Sequence, residues 1–264
     1  MGILDTVKKP GDRPVVVTLC GDSGMGKTTL AASFPKPIFI RAEDGVQAIP
    51  ENLRPDVFPV INEVEDLWNQ LKGLMNEEHG YKTLVEDSIT ALERMFIADV
   101  IAKDNKKATN IQQAAGGYGA GREAVAIMHQ RLRKAAAILA EKKGMHTVFI
   151  GHVEISTENP PDDDSFSKYG LRLHAKSMAP YVDDVDVVGF LKLETFTKGD
   201  GDRKKAVSDG TRVLIAYATA ANVSKNRYNI TEPLTVELGK NPLESYIPSL
   251  TTTATVTKKE KVNG

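Results

Sequence analysis

Disulfides, membrane spans and a strong net charge are all missing from this sequence. A single cysteine, Cys20, stands in 264 residues. It excludes a bridge within the chain and fits a reducing compartment, so the cytoplasm is the expected location. No apolar run approaches the roughly 18 residues needed to span a bilayer, and no membrane partner is expected. Residues 1–13 carry Asp5, Lys8, Lys9 and Pro10 but no apolar stretch of the kind a secretory signal has. The formal net charge of −1 argues against a strongly basic nucleic-acid binder. No internal repeat is present, and His79, His129, His146 and His174 show no metal-ligand spacing.

What is present is an ordinary globular composition, 41% hydrophobic and 26% charged, in a chain long enough to bury a substantial core. Charge is unevenly spread. Residues 101–143 hold nine Lys/Arg against three acids, a local balance of +6 that suits either an anionic partner or a solvated helix face.

The hydrophobic pattern predicts alternating strands and helices. The β-branched run Pro14 to Cys20 predicts a buried strand, and Lys27 to Phe34 a helix stopped by Pro35 and Pro37. Ile38 to Ile40 reads as a second strand, Val64 to Met75 as an amphipathic helix, and Thr83 to Val85 as a third strand before a helix over Thr90 to Ala102. A glycine-rich loop spans Asn105 to Gly121, followed by a helix from Arg122 to Lys143 and a fourth strand from His146 to Ile150. Glu158 to Ser167 reads as a polar loop. Val185 to Leu193 and Thr211 to Thr219 read as a hairpin joined by the charged turn Lys198 to Lys205. The expectation is an α/β fold: a mostly parallel central sheet flanked by helices, with late antiparallel strands. Residues 1–13 form a leader, 14–240 the core, and 241–264 a tail whose end is too polar to pack.

One motif carries chemistry by itself. Gly21-Asp22-Ser23-Gly24-Met25-Gly26-Lys27-Thr28, followed by Thr29, matches Gly-x-x-x-x-Gly-Lys-Thr between a predicted strand and a predicted helix. The glycines let backbone N–H groups wrap phosphates, Lys27 reaches the β and γ phosphates, and the Thr28 hydroxyl ligates Mg²⁺. ATP and Mg²⁺ are therefore the expected ligands. A second acid on the metal side is expected at the end of a neighbouring strand; Thr83-Leu84-Val85-Glu86-Asp87-Ser88 supplies Asp87, with Glu86 as the alternative.

Four segments in order now resemble the RecA/RadA recombinase core: the P-loop, Phe39-Ile40-Arg41-Ala42-Glu43, Val85-Glu86-Asp87-Ser88, and Val148-Phe149-Ile150-Gly151-His152. A fifth, Lys225-Asn226-Arg227-Tyr228, is similar to the segment with which RecA protomers reach a neighbour's ATP. The likeness covers residues 14–240 and is nearest to the phage RecA-like ATPases of the Sak type. It implies that Glu43 activates the attacking water. It also implies that His152, where the family has glutamine, reports the γ-phosphate, and that Lys225 and Arg227 act in trans.

It further implies single-stranded DNA at two loops, one with Lys103, Lys106, Lys107, Tyr118 and Arg122, the other with Lys168, Tyr169, Arg172 and Lys176. Asp162-Asp163-Asp164 puts opposing charge in the second. The implied function is a DNA-stimulated, Mg²⁺-dependent ATPase in phage-type recombination or strand annealing, with single-strand-binding or other recombination proteins as partners. About a dozen residues precede the first strand, so a ring or short filament is expected rather than a long RecA filament. Rival readings are an ATP-gated annealing module with little hydrolysis, a small-molecule kinase, and a helicase-loader ATPase. The kinase reading wants an arginine-rich lid, whereas the turn at 198–205 offers only Arg203.

Overall fold

Val16–Cys20 (β1) is apolar or β-branched throughout and buried at every position, as a strand in the middle of a parallel sheet must be. The computed structural model describes residues 2–7, 11–162, 164–198 and 205–251. In chain order the remaining strands are Pro37–Arg41 (β2), Asp56–Val57 (β3), Thr83–Asp87 (β4), His146–Gly151 (β5), Val153–Glu158 (β6), Phe166–Leu171 (β7), Val187–Leu193 (β8), Phe196–Lys198 (β9), Lys205–Val207 (β10), Arg212–Ile215 (β11), Lys225–Asn226 (β12) and Leu234–Val236 (β13). The helices are Lys27–Ala32 (α1), Val64–Asn76 (α2), Ile89–Ala102 (α3), Ala120–Lys143 (α4), Ala179–Val182 (α5) and Pro248–Thr251 (α6).

Among the described residues the main sheet has the order β13-β11-β8-β1-β5-β4-β2-β3, with β12 also paired to β8. The pairs from β8 across to β3 are parallel; β11, β12 and β13 are antiparallel. This is the α/β architecture expected. From β1 the chain jumps to β2 and β3 at the far edge, comes back inward through β4 to β5 beside β1, and then crosses to its other side with β8. The strand order thus reverses around β1, where open α/β sheets bind ligands.

Strand alternation sorts side chains into two cores. Val16, Cys20, Leu84 and Phe149 face α2 to α5, packing on Leu71, Phe96 and Leu132. Val17, Leu19, Val85 and Val148 face α1, with Leu30 and Phe34. Leu243, Ile247 and Leu250 are buried in this second core, so packing continues past residue 240.

Two expectations change. The polar loop at 158–167 narrows to the tip of a hairpin, because the alternation Val153-Glu154-Ile155-Ser156-Thr157 makes β6, which pairs with β7 in a separate ribbon. The hairpin expected from 185 to 219 forms between β8 and β11, but it carries the further ribbon β9–β10. Residues 199–204 of the charged turn, Arg203 included, lie outside the described residues, as do Asp163 and 252–264. No helix among the described residues is long and apolar enough to cross a membrane.

Candidate nucleotide site

The P-loop turns where β1 ends, and its first glycine has no alternative: a Cβ on Gly21 would fall 2.3 Å from the Leu191 carbonyl oxygen of β8. Lys27, the first residue of α1, is buried, and its Nζ donates to the carbonyls of Gly21 at 2.9 Å and Asp22 at 2.7 Å. Burial pulls its pKa below the usual lysine value, with Asp87 the strongest opposing influence. Cys20 beneath the loop is fully buried, which pushes its thiol up to about 12.

Parallel pairing brings the ends of β2, β4 and β5 to the same edge. Asp87 ends β4, and its Oδ2 accepts a hydrogen bond from Thr28 Oγ1 at 2.9 Å. Burial raises the Asp87 pKa; the Thr28 hydrogen bond and the charges of Lys27 and His152 draw it back. Glu86, the alternative acid, faces the opposite core and is fully buried. The two residues therefore separate cleanly, and only Asp87 reaches the P-loop.

Past the end of β2, Arg41 donates to Asp44 at 2.7 Å and the Ala42 amide to the Asp87 carbonyl at 2.8 Å, which fixes the turn carrying Glu43. Glu43 accepts from Arg94 of α3 at 3.0 Å and lies 3.4 Å from His152 Nε2. His152 follows β5, its amide bonded to Thr90 Oγ1 at 3.0 Å and its carbonyl accepting from Arg172 at 2.9 Å. The hydrogen bond with His152, helped by the charges of His152 and Arg94, holds the Glu43 carboxyl below its usual range against a smaller burial effect.

These groups line one cavity of about 570 Å³, walled by the P-loop, Thr28, Glu43, Asp87 and His152 on the β4–β2 side of β1 and by Arg212, Val236, Glu237 and Leu238 on the β11–β13 side, with Glu237 paired to Lys240. The hard oxygen donors of Thr28 and Asp87 suit Mg²⁺. Gly45 leaves the space beside them open: a Cβ there would lie 3.6 Å from Thr28 Oγ1 and 4.0 Å from Asp87 Oδ2.

Residues 13–228 match the family described as AAA domain. The chain belongs to that family. Membership makes it a P-loop ATPase domain, with nucleotide binding implied. No curated protein matches the chain. Among solved structures, a crystal structure of the RadB recombinase is similar over 87% of this chain and 90% of its own, at 15% identity and a TM-score of 0.49.

The other expected residues of the AAA domain lie elsewhere. Lys225 donates to the Asp183 carbonyl at 2.8 Å and Arg227 pairs with Asp186 at 3.1 Å. Asp186 in turn accepts from the Val16 amide at the start of β1, about 13 Å of strand away from Cys20. Neither basic side chain stands at its own P-loop. On the first loop Tyr118 is fully exposed, and Lys106, Lys107 and Lys103 are exposed, with Lys103 paired to Asp99 at 2.7 Å. Arg122 is half-buried in the first turn of α4.

On the second loop Lys168 and Tyr169 belong to β7, the Tyr169 ring tilted against Phe190 at 5.1 Å. Arg172 is exposed and Lys176 pairs with Glu123 at 2.8 Å. Sequence reasoning missed Arg94 and Arg212. The hairpin register was the available signal for Arg212, since an arginine opening the return strand must arrive beside the end of β8.

Proposed function

We propose that this AAA domain binds ATP with Mg²⁺, hydrolyses it, and couples the cycle to single-stranded DNA in phage-type recombination or annealing in the host cytoplasm. The observation that carries the reading is the meeting of Glu43 with His152, beside the Thr28–Asp87 oxygen pair and over the P-loop.

The P-loop amides and Lys27 bind the phosphates and orient the terminal one toward Glu43. Glu43, kept ionised by its His152 hydrogen bond, accepts the proton of the attacking water through a carboxylate oxygen. Thr28 and Asp87 would hold Mg²⁺, which neutralises charge on the phosphates when bound. His152 bonds to Glu43 and continues into the β6–β7 hairpin, so a contact with the terminal phosphate reaches the second basic loop through few atoms. Lys106, Lys107 and Tyr118 offer exposed cations and an exposed ring to a strand. The exposed pairs of Lys103 and Lys176 cost little to exchange for DNA phosphates. Lys225 and Arg227, remote from their own P-loop, serve a neighbouring protomer in a ring or short filament, alongside other recombination proteins.

The test is ATP turnover with and without single-stranded DNA, for the full chain and Lys27→Ala. The expected result is Mg²⁺-dependent turnover stimulated several-fold by DNA and lost in Lys27→Ala. DNA affinity should fall steeply with salt. Phosphate transfer to a small acceptor, with no DNA effect, would overturn the reading in favour of a kinase.

A further inference from the structure

The cavity above the P-loop has an end that the catalytic reading does not use. Glu43, Asp87 and His152 follow strands on one side of β1; β8, β11 and β13 lie on the other. Because β8 is parallel to β1 and β11 antiparallel to β8, with Arg212 opposite Leu193, the first residue of β11 arrives where the parallel strands end. Across the next ladder Arg212 faces Val236, the last residue of β13. Directly opposed residues share a face, and Leu214, two positions along from Arg212, is buried in the core on the α1 side.

The guanidinium arm of Arg212 crosses the P-loop: its Cδ and Nε lie 3.5 Å from where a Cβ on Gly26 would stand. Among the described residues lining the cavity, Arg212 is the one cation with no hydrogen bond or ion pair. Lys27 is bonded to loop carbonyls and His152 to Glu43. An exposed leucine, Leu238, and Pro50 line the same cavity.

We propose that Arg212 is a second phosphate-binding cation of this site. It acts within the same subunit on the α and β phosphates of the nucleotide, and Leu238 and Val236 form the apolar wall beside the base. The assignment rests on the reading of the P-loop as a nucleotide site. The planar guanidinium presents several N–H donors to phosphate oxygens in a fixed fork, which a lysine on the same strand would not. Its distance in strand order from Glu43 puts it on the flank away from the hydrolysed bond. The guanidinium thus contributes to holding ATP and ADP alike.

Calorimetric titration of the full chain with ATP, ADP and inorganic tripolyphosphate tests this, for wild type, Arg212→Ala, Arg212→Lys, Leu238→Ser and Lys27→Ala. Circular dichroism melting establishes that each variant is folded. Arg212→Ala should weaken all three ligands about tenfold or more, the scale of a charge-assisted hydrogen bond. Arg212→Lys should recover part of that. Leu238→Ser should weaken ATP and ADP but leave tripolyphosphate unchanged.

Wild-type affinity in Arg212→Ala, alongside a loss in Lys27→Ala, would overturn the Arg212 assignment and leave the nucleotide reading intact. A loss confined to ATP would overturn it too, by moving the guanidinium to the γ-phosphate. Absence of nucleotide binding by the wild type would instead reject the underlying reading. Should Arg212→Ala fail to fold, Arg212→Lys carries the test, and unchanged affinity for all three ligands there overturns the forked recognition.

Discussion

Glu86 and Asp87 are neighbours on one strand, carry the same functional group, and face opposite sides of one sheet. Asp87 opens onto a cavity, accepts a hydrogen bond from Thr28 at 2.9 Å, and sits among charges of both signs. Glu86 is sealed beneath α3 to α5, and neither of its carboxylate oxygens has a hydrogen-bond partner. Its surroundings form a ladder of rings in which Phe96, His129, Tyr181 and Phe149 follow one another at centroid distances of 4.9 to 5.4 Å. Burial raises both carboxyls, and Glu86 much further. It also drives His129 down to about 3, so the imidazole is neutral and bonds the Tyr181 hydroxyl at 2.7 Å. The difference teaches that an acid at a strand end is a site only where water and ligand can reach it. On the other face burial favours the neutral form of the same group as part of the core.

The sharpest way to test the open face is Glu43→Gln. Turnover should fall at least 100-fold, the scale of a lost general base, while ATP binding survives. The pH profile is diagnostic. Glu43 is depressed by its His152 hydrogen bond, so as pH falls the rate should hold until below about 4.3, the ordinary glutamate value. A limb well above that value would move the base to a raised carboxyl such as Asp87 and break the division of labour. Stopped assays across pH 4 to 8 check both.

A smaller effect tests the closed face. Glu86 has a folded-state pKa well above that of the unfolded chain, so folding favours its protonated form. Stability from this group is full at low pH and is lost as pH rises from about 4.3 toward the folded value. Glu86→Gln removes that loss. Its melting temperature should match wild type near pH 4 and exceed it by ~2 °C or more at pH 8, a shift that corresponds to about 1 kcal/mol in a domain this size. Thermal melts at several pH values decide it. A variant less stable than wild type at pH 8 would show that Glu86 is ionised and usefully paired.

Much of the open face was legible in the sequence because its signals are local. The run before Gly21 forced a buried strand, the spacing to Lys27 and Thr28 specified the turn, and Asp87 and His152 announced themselves as polar residues closing apolar strands. Their direct contacts were not legible from local pattern; only the family resemblance put Glu43 and His152 at one site. Glu43 meets Arg94 and His152 across 51 and 109 residues, separations that no short pattern encodes. The fate of the basic residues was hidden for the same reason: nothing near Lys225 or Arg227 in sequence foretells Asp183 and Asp186. The hairpin β6–β7 was obscured by Asn159 to Ser165, whose turn chemistry dominated the flanking alternation. Which of Glu86 and Asp87 faces the closed core was not legible, since the two differ only by the parity of a strand.

Cys20 sits where the two faces meet, and the smallest predicted effect is the finest probe of their boundary. Its side chain belongs to the closed core with Val16, while its backbone leads directly into Gly21. Fully buried and pushed up to about 12, the thiol is neither ionised nor reachable at neutral pH, although Lys27 nearby draws its pKa slightly down. The native protein should resist a thiol reagent such as N-ethylmaleimide, reacting only through unfolding. ATP with Mg²⁺ should slow that reaction further, because a ligand of the folded state lowers the population of the open one. Labelling followed by mass spectrometry reads it directly. Rapid labelling that ATP suppresses would mean the P-loop base opens locally, making the seam between the faces a moving part of the site; rapid labelling indifferent to ATP would detach Cys20 from the nucleotide altogether.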